Sequence, residues 1–240
     1  LLLSVISGTD PLDPTCALEP ALPMAAHDGG LTSLRVGVDR RWNADGSDAE
    51  TNAAIESALT VLQHLGAQIE DVSVPDTRCA VLGWEPIAGA EVAVAHAETY
   101  PARAGEYGPA LSFLIEVGRS ASAMDYQRAQ LDRMAFRGAF ATLMRDIDLL
   151  VAPVMPNAAT TLDALDAVAG DAEANARLIG FTAPFNLSGH PALALPAGGT
   201  VKGTPIGMQF IGGHGREAML LRAGIAFQEA TAWHRARPIP

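Results

Sequence analysis

A serine and a histidine lie two residues apart in a nearly uncharged stretch of the sequence, "FTAPFNLSGHPALALPAGG", residues 181–199. Ser188 and His190 are side-chain types that could act as a nucleophile and its general base. In α/β serine hydrolases, however, the nucleophile lies in a G-x-S-x-G turn that leads from a strand into a helix. Here the order is reversed, and residues two apart on an extended chain point the same way without touching. We therefore predict that Ser188 ends a helix before a capping Gly189 and that His190 is a satisfied polar group.

The remaining candidate motifs have plainer structural explanations. Gly213, Gly215 and Ala218 match a dinucleotide-binding fingerprint, but no strand follows to complete the unit, so a glycine turn into a helix explains them. The six histidines are spread singly, without an HExxH or a Cys/His cluster. Lys202 is the only lysine, and it lies at the tip of a predicted glycine-rich hairpin, where nothing would lower its pKa. The sequence therefore predicts no catalytic residue, no metal and no cofactor in this chain.

The apolar spacing predicts a single α/β domain over residues 1–240. Alternating or continuous apolar runs predict strands, helical spacing predicts the helices between them, and a strand–helix–strand order predicts neighbouring parallel strands. We expect a mixed, largely parallel sheet flanked by helices, and a mobile loop in the Ala/Asp-rich segment 157–173. The strands are predicted at 34–38, 67–75, 148–156, 191–198 and 206–212, and helices at 47–65, irregularly over 80–117, from 122, through Leu178 and Phe181, and over 216–231.

Several local features accompany these elements. Ser47 and Glu50 form a capping box that opens the first long helix, after a polar turn. Prolines at 86, 101 and 109 are expected to interrupt the segment 80–117. The long helix from 122 carries a solvated face with four arginines: Arg128, Arg133, Arg137 and Arg145.

The charge and cysteine content exclude several partners. The net charge is −11, from 16 basic and 27 acidic residues, which argues against binding to nucleic acid or to an anionic membrane. Cys16 and Cys79 are too few for a disulfide framework, so we expect buried thiols, a reducing compartment and a cytoplasmic protein. The first residues, "LLLSVISGTDPLDPT", lack a basic region and are too short to span a bilayer. Their pattern is that of the end of a helix whose beginning precedes Leu1.

Several segments in a fixed order resemble the amidase signature family, over residues 1–238. The segments are "LLLSVISGTDPLDPT", "SAMDYQRA", "DLLVAPVMP", "FTAPFNLSGHPALALPAG", "PIGMQFIG" and "LLRAGIAFQEATAWHRARP". The resemblance implies hydrolysis of a carboxamide C–N bond by a Ser–cis-Ser–Lys triad. That triad belongs to the first half of the family's chain, whereas this sequence looks like the C-terminal half. None of its members can be placed on a residue here, so we expect the isolated chain to be inactive.

The resemblance also suggests which residues face a substrate. The loops around "TAPFNLSG" and after "DLLVAP" border the substrate cleft in the family, which gives five candidates for substrate binding. A pocket that lacks the charged residues of related amidotransferases favours a neutral or apolar amide. The tRNA-dependent amidotransferases that resemble this chain tend to carry an acid three residues before Thr182, where this chain has Ile179. The five candidates are Trp84, Ile87, Met155, Ile179 and Phe181.

An alternative to the amidase function remains open from the sequence. The chain could instead be a non-catalytic α/β scaffold or binding subunit that retains the amidase fold. As expected partners we name a small-molecule amide, a missing N-terminal half or partner chain, and a second copy in a homodimer. A sheet cut through its middle would expose an apolar strand edge, so we also expect the isolated chain to aggregate or to associate.

Overall fold

Five strands pair into one mixed sheet within residues 2–13, 30–168 and 171–237, the part of the chain that the computed structural model describes. The strands are β1 (Arg35–Val38), β2 (Gln68–Asp71), β3 (Leu149–Pro153), β4 (Ala192–Gly199) and β5 (Pro205–Gly212). Their spatial order is β2-β1-β3-β5-β4. β2, β1 and β3 are parallel, whereas β5 runs antiparallel to both β3 and β4. The predicted mixed α/β sheet is confirmed.

Ten α-helices surround this sheet in the described ranges. They are α1 (Leu2–Ile6), α2 (Arg40–Gly46), α3 (Ala49–His64), α4 (Arg78–Ala95), α5 (Pro109–Ser120), α6 (Ala123–Leu143), α7 (Leu162–Val168), α8 (Ala172–Ile179), α9 (Ala183–Ser188) and α10 (Glu217–Ala230). Short 3-10 helices span Ala104–Glu106 and Trp233–Arg235. α7 lies inside the segment 157–173, whose mobility stays a prediction.

The central strand β3 is buried on both faces, because successive residues of a strand point to opposite sides. Leu149 and Val151 belong to a core shared with α3 and α10. Leu150 and Ala152 belong to a second core, shared with α4, α6 and α9. The alternation thus divides the helices into two layers, with the sheet between them.

The start of α3 differs from the prediction. Asp48, not Ser47, is the N-cap, and its carboxylate accepts a hydrogen bond from the backbone N–H of Thr51 at 2.7 Å. Ser47 instead ends α2, the helix that occupies the predicted turn. Both residue types cap helices well, so the sequence alone does not distinguish the two neighbours. Gly66, with a φ of +96°, ends α3 as predicted.

The prolines in the segment 80–117 have different effects. Pro109 begins α5, where the missing N–H costs nothing. Pro86, in contrast, lies inside α4, so the prediction that it interrupts the helix is wrong. Its ring removes the hydrogen bond to the carbonyl of Leu82. We attribute the continuity of α4 to its packing against α5, α6 and α9.

Two further expectations about side chains fail. The guanidinium Nε of Arg133 donates a hydrogen bond of 2.6 Å to the carbonyl of Leu187, so this arginine joins α6 to α9 instead of facing solvent. Cys79 is exposed, because it lies on the outer side of the first turn of α4. Cys16 lies outside the described residues. Arg128 and Arg137 are exposed, as the sequence predicts.

Candidate functional site

Ser188 and His190 touch each other, contrary to the prediction from the sequence. Gly189 ends α9 in the left-handed conformation, with a φ of +71°. This turns the chain back, so that His190 Nδ1 lies 2.9 Å from Ser188 Oγ. The expectation fails because it assumes an extended chain, while the predicted glycine cap itself bends it.

The Ser188–His190 pair is nevertheless closed to a substrate. Ser188 has no exposed surface and His190 is only 6% exposed. The hydroxyl of Ser188 also donates to the carbonyl of Phe185, at 3.4 Å. A nucleophilic oxygen must reach a substrate carbonyl, and here core side chains surround it. The pair is a buried polar contact that fixes the junction between α9 and β4.

The environment of His190 keeps its ring neutral. Burial lowers the pKa of His190 to about 4, with smaller contributions from the nearby His214 and Arg137. The ring packs edge-on against Phe140 and lies 4.1 Å from the ring of His214, centroid to centroid. A neutral imidazole in an aromatic setting suits a structural role.

A cavity of about 380 Å³ opens where the parallel strands β1 and β2 end, which is the usual place for ligands in α/β sheets. We call it the strand-end cavity. The rings of Trp42 and Phe181 form part of its wall and meet edge-on at 4.8 Å. Its lining residues are Trp42, Asp45, Gly46, Thr77, Arg78, Val81, Leu82, Glu173, Ala176, Arg177, Gly180 and Phe181.

Buried Gln209 fixes the position of Phe181. The side-chain amide of Gln209 donates two hydrogen bonds, to the carbonyls of Phe181 at 2.6 Å and Pro153 at 2.8 Å. It thereby joins the end of β3 to the turn between α8 and α9. Gly46 is required on the opposite side, because a Cβ there would lie 2.6 Å from the Phe181 ring.

A second cavity, of about 620 Å³, is mostly apolar. We call it the apolar cavity. Most of its wall comes from Trp84, the first turns of α5, and one side each of α7 and α8. The amide of Asn175 donates to Glu85 Oε1 at 3.0 Å, so part of its polar surface is already paired. Its lining residues are Trp84, Glu85, Pro109, Ala110, Leu111, Phe113, Leu114, Leu165, Val168, Asp171, Asn175 and Leu178.

Helix α8 separates the two cavities. Ala176 and Arg177 line the strand-end cavity, whereas Asn175 and Leu178 line the apolar cavity. Residues three or four apart share one face of a helix, so an eight-residue helix can present one side to each cavity. α4 also lines both cavities, with Arg78, Val81 and Leu82 at the strand-end cavity and the following Trp84 and Glu85 at the apolar cavity.

The structure does not gather the five predicted substrate-binding residues into one cavity. Phe181 lines the strand-end cavity and Trp84 lines the apolar cavity. Ile87 is buried in the core that Phe181 shares. Met155 and Ile179 are half-buried and line neither cavity.

Sequence reasoning misses other wall residues. Trp42 lies in α2, a segment whose polar residues predict a turn, although an aromatic side chain just after a strand is a usable signal. Phe113 and Leu178 carry no motif, since an apolar residue on a helix looks the same in a core and in a cavity.

Other chemistry is sparse in the described ranges. Lys202 is exposed in the hairpin between β4 and β5. Within those ranges, no group of three or more His, Cys, Asp or Glu side chains could hold a metal ion. None of the described helices is long and apolar enough to cross a membrane.

Comparison with protein families identifies the class. The Amidase family model matches residues 1–221, and the chain belongs to this family. The protein named "Putative amidase AmiD" of Mycobacterium tuberculosis is 42% identical over 240 residues, which are 99% of this chain and 50% of that protein. A glutamyl-tRNA(Gln) amidotransferase chain of Chloroflexus aurantiacus is 34% identical over 267 residues, covering 99% of this chain and 53% of that one. The chain thus spans about half the length of the curated relatives it matches.

Solved structures agree with this assignment. One is a chain of a vestigial protein complex that reveals the evolutionary origins of an s-triazine catabolic enzyme. It superposes with a TM-score of 0.78 at 28% identity, over 94% of this chain and 50% of its own length. The 6-aminohexanoate cyclic dimer hydrolase superposes with a TM-score of 0.76 at 24% identity, over 99% of this chain and 53% of its own. The latter likeness concerns the fold alone.

Proposed function

We propose that this chain forms the substrate-binding side of an amidase that hydrolyses a neutral carboxamide, giving a carboxylate and ammonia or an amine. Membership of the Amidase family supports amide hydrolysis as the general chemistry. The apolar cavity carries the choice of substrate. A pocket of this volume, with few polar groups, is suited to an apolar acyl or aryl group.

The charges around the apolar cavity do not suit a ligand that carries charged ends of both signs. Glu85 and Asp171 are the only ionisable side chains among the described residues of its wall, and Glu85 is engaged by Asn175. An amino-acid amide with charged ends would need both a cation and an anion as partners, and these wall residues include no cation. Of the five candidate residues, we assign substrate contact in the apolar cavity to Trp84, whereas Phe181 lines the strand-end cavity on the other side of α8. Ile87 is buried in the core beside the cavities, and Met155 and Ile179 line neither cavity.

We propose that the nucleophile comes from outside these 240 residues. Ser188 is closed off by its neighbours, and Lys202 is held in an exposed hairpin. Neither can take part in the Ser–cis-Ser–Lys chemistry that resemblance to the family implies. The chain by itself should therefore be inactive and should depend on a preceding segment or a partner chain. A reducing, cytoplasmic location fits the exposed free thiol of Cys79.

Ammonia release tests the proposal. The chain would be assayed alone and fused behind the first half of the mycobacterial AmiD relative, with aliphatic and aryl amides and with glutamine. We expect no activity alone, and activity on apolar amides in the fusion. Hydrolysis by the chain alone, or a preference for glutamine, would contradict the proposal. A fusion that binds amides but hydrolyses none would favour a non-catalytic binding subunit.

A matched tryptophan pair tests the assignment of the apolar cavity. Trp84→Ala should raise KM for a long apolar amide in the fusion by roughly tenfold, because it removes a large contact surface. Trp233→Ala removes the same side chain from a partly exposed 3-10 helix, away from both cavities, and should leave KM unchanged. Equal effects of the two substitutions would argue against substrate binding in the apolar cavity.

A further inference from the structure

A third cavity, of about 600 Å³, lies at the opposite end of the sheet, where β1 and β3 begin and β5 ends. We call it the arginine cavity. It also extends along the first turns of α10. Its lining residues are Thr32, Ser33, Leu34, Arg35, Met144, Arg145, Ile147, Asp148, Gly213, Arg216, Met219 and Arg222.

The lining is strongly cationic in a protein of net charge −11. Four arginines face one carboxylate, that of Asp148. Arg35 occupies both oxygens of this carboxylate, through its backbone N–H at 2.8 Å and its Nη2 at 3.3 Å. The positive charges of Arg145, Arg216 and Arg222 therefore remain uncompensated among the described residues of the cavity.

Elsewhere among the described residues, six arginines form ion pairs, and five form none: Arg133, Arg137, Arg177, Arg235 and Arg237. Arg40 contacts both Glu56 and Asp71, and Arg41, Arg78, Arg103, Arg119 and Arg128 each contact an acid close in sequence. Among the described residues, no ion pair forms at Arg145, Arg216 or Arg222. Positive charges that line one cavity repel one another, and a bound anion would offset that repulsion.

Two of the four arginines are held by hydrogen bonds, and the other two are exposed. Arg35 is fixed by Asp148, and Arg222 Nη2 donates to the carbonyl of Gly30 at 2.6 Å. Arg145 and Arg216 are exposed at the rim. Arg216 is also the N-cap of α10 and provides no side-chain cap, so the positive end of the helix dipole adds to the field.

We propose that the arginine cavity binds a small molecule carrying a phosphate group. The planar guanidinium fork matches the geometry of phosphate oxygens and binds them by charge-assisted hydrogen bonds. The hydroxyls of Thr32 and Ser33 offer further donors at the same wall. The volume admits a pyrophosphate together with an organic substituent. This site is separate from the strand-end and apolar cavities and does not depend on amide hydrolysis.

Calorimetric titration of the full chain with inorganic pyrophosphate tests the site. We expect a dissociation constant below about 1 mM at low salt, on the order of tenfold weaker binding in about 0.2 M salt, and binding of citrate at least roughly tenfold weaker than that of pyrophosphate. Failure of pyrophosphate to bind would overturn the proposal. Equal binding of citrate would overturn the assignment of phosphate.

Substitution of the rim arginines locates the binding. Arg145→Gln with Arg216→Gln should weaken pyrophosphate binding by roughly ten- to a hundredfold. The control is Arg128→Gln, which removes one exposed positive charge from α6, outside the cavity. It should change pyrophosphate binding less than about twofold. The double variant and the control leave the core residues unchanged, and circular dichroism would verify that both remain folded. If the double variant unfolds, Arg216→Gln alone takes its place. Equal loss in the rim and control variants would contradict the site.

Discussion

The apolar cavity and the arginine cavity have nearly the same volume, about 620 and 600 Å³, but opposite linings. Tryptophan, phenylalanine and leucine dominate the first, and four arginines dominate the second. The first is built by neighbouring helices beyond the carboxyl ends of the parallel strands. The second lies at their amino ends, where segments distant in sequence meet. The two ends of one sheet are thus suited to different ligands, and size alone would not distinguish them.

The largest expected effect concerns the hydrogen bonds of Gln209 at the carboxyl end of the parallel strands. Gln209→Leu removes both amide donors and leaves the carbonyls of Phe181 and Pro153 buried without partners. Each such group costs about 1 to 3 kcal/mol, so we expect a loss of roughly 3 to 4 kcal/mol in the free energy of unfolding, measured by urea denaturation.

Gln68→Leu at the exposed edge strand β2 is the control, and it should change stability by less than about 0.5 kcal/mol. The arginine cavity should keep its affinity for pyrophosphate in Gln209→Leu, provided the chain remains folded. A loss no greater than that of the control would mean that the two carbonyls find other partners.

The next effect concerns the amino end of the parallel strands, where His190 makes the stability of the fold sensitive to acid. The pKa of His190 lies near 4 in the folded chain and near 6.5 when unfolded, so the unfolded state binds the proton more readily. Its contribution to stability is full above pH 6.5 and declines as the pH falls from 6.5 towards 4. The expected loss over this window is roughly 3 kcal/mol.

Thermal or urea unfolding measured from about pH 7 to about pH 4 would show this loss. In His190→Asn, an uncharged amide replaces Nδ1, and the same window should show a flatter profile. The paired carboxylates, such as Asp125, whose pKa is lowered by the hydroxyl of Ser122, titrate in both proteins. Identical profiles would show that His190 is not the responsible group.

The smallest expected effect is on ligand binding, when one residue that lines the apolar cavity is replaced. Leu178→Asp places a charge in the wall of the apolar cavity and should weaken binding of an aryl amide roughly tenfold, as measured by equilibrium dialysis. Leu162→Asp makes the same change at an exposed position of α7 and should have little effect. Neither variant should alter pyrophosphate binding. Coupled losses of both ligands would argue that the two ends are not independent.

Local patterns in the sequence predict part of the fold. The buried run of β3, the cap of α6 at Ser122, the hairpin of β4 and β5 and the inner face of α10 all follow from period and capping chemistry. Trp84 and Phe181 are candidates from the resemblance to the family, and each lines a cavity, although their contact with a substrate stays a prediction. The contact of Ser188 with His190 escapes prediction because one left-handed glycine redirects the chain, which periodicity does not record.

The arginine cavity has no signal in the sequence at all. Arg35, Arg145 and Arg216 belong to three segments that are far apart along the chain, and the pattern around Arg145 indicates a solvated helix face. Convergence of this kind depends on strand order, which local patterns leave open. For the same reason the five predicted contact residues do not share one cavity: Trp84 and Phe181 line different cavities, Ile87 is in the core, and Met155 and Ile179 line neither cavity.

The two edges of the sheet differ in their protection. β2 carries Gln68, Glu70 and Asp71, whose polar and charged groups discourage pairing with another strand. β4 offers only alanine, leucine, proline and glycine. Self-association of the isolated chain, which the sequence predicts, should therefore involve β4.

The position of α8 between the strand-end and apolar cavities has a consequence for how such a protein diversifies. Because α8 has one face on each cavity, a shift of the helix that widens one space narrows the other. A substitution selected for a bulkier ligand on one side therefore alters the opposite side as well. Descendants with a changed substrate range should carry paired substitutions on the two faces of α8, one enlarging and one compensating.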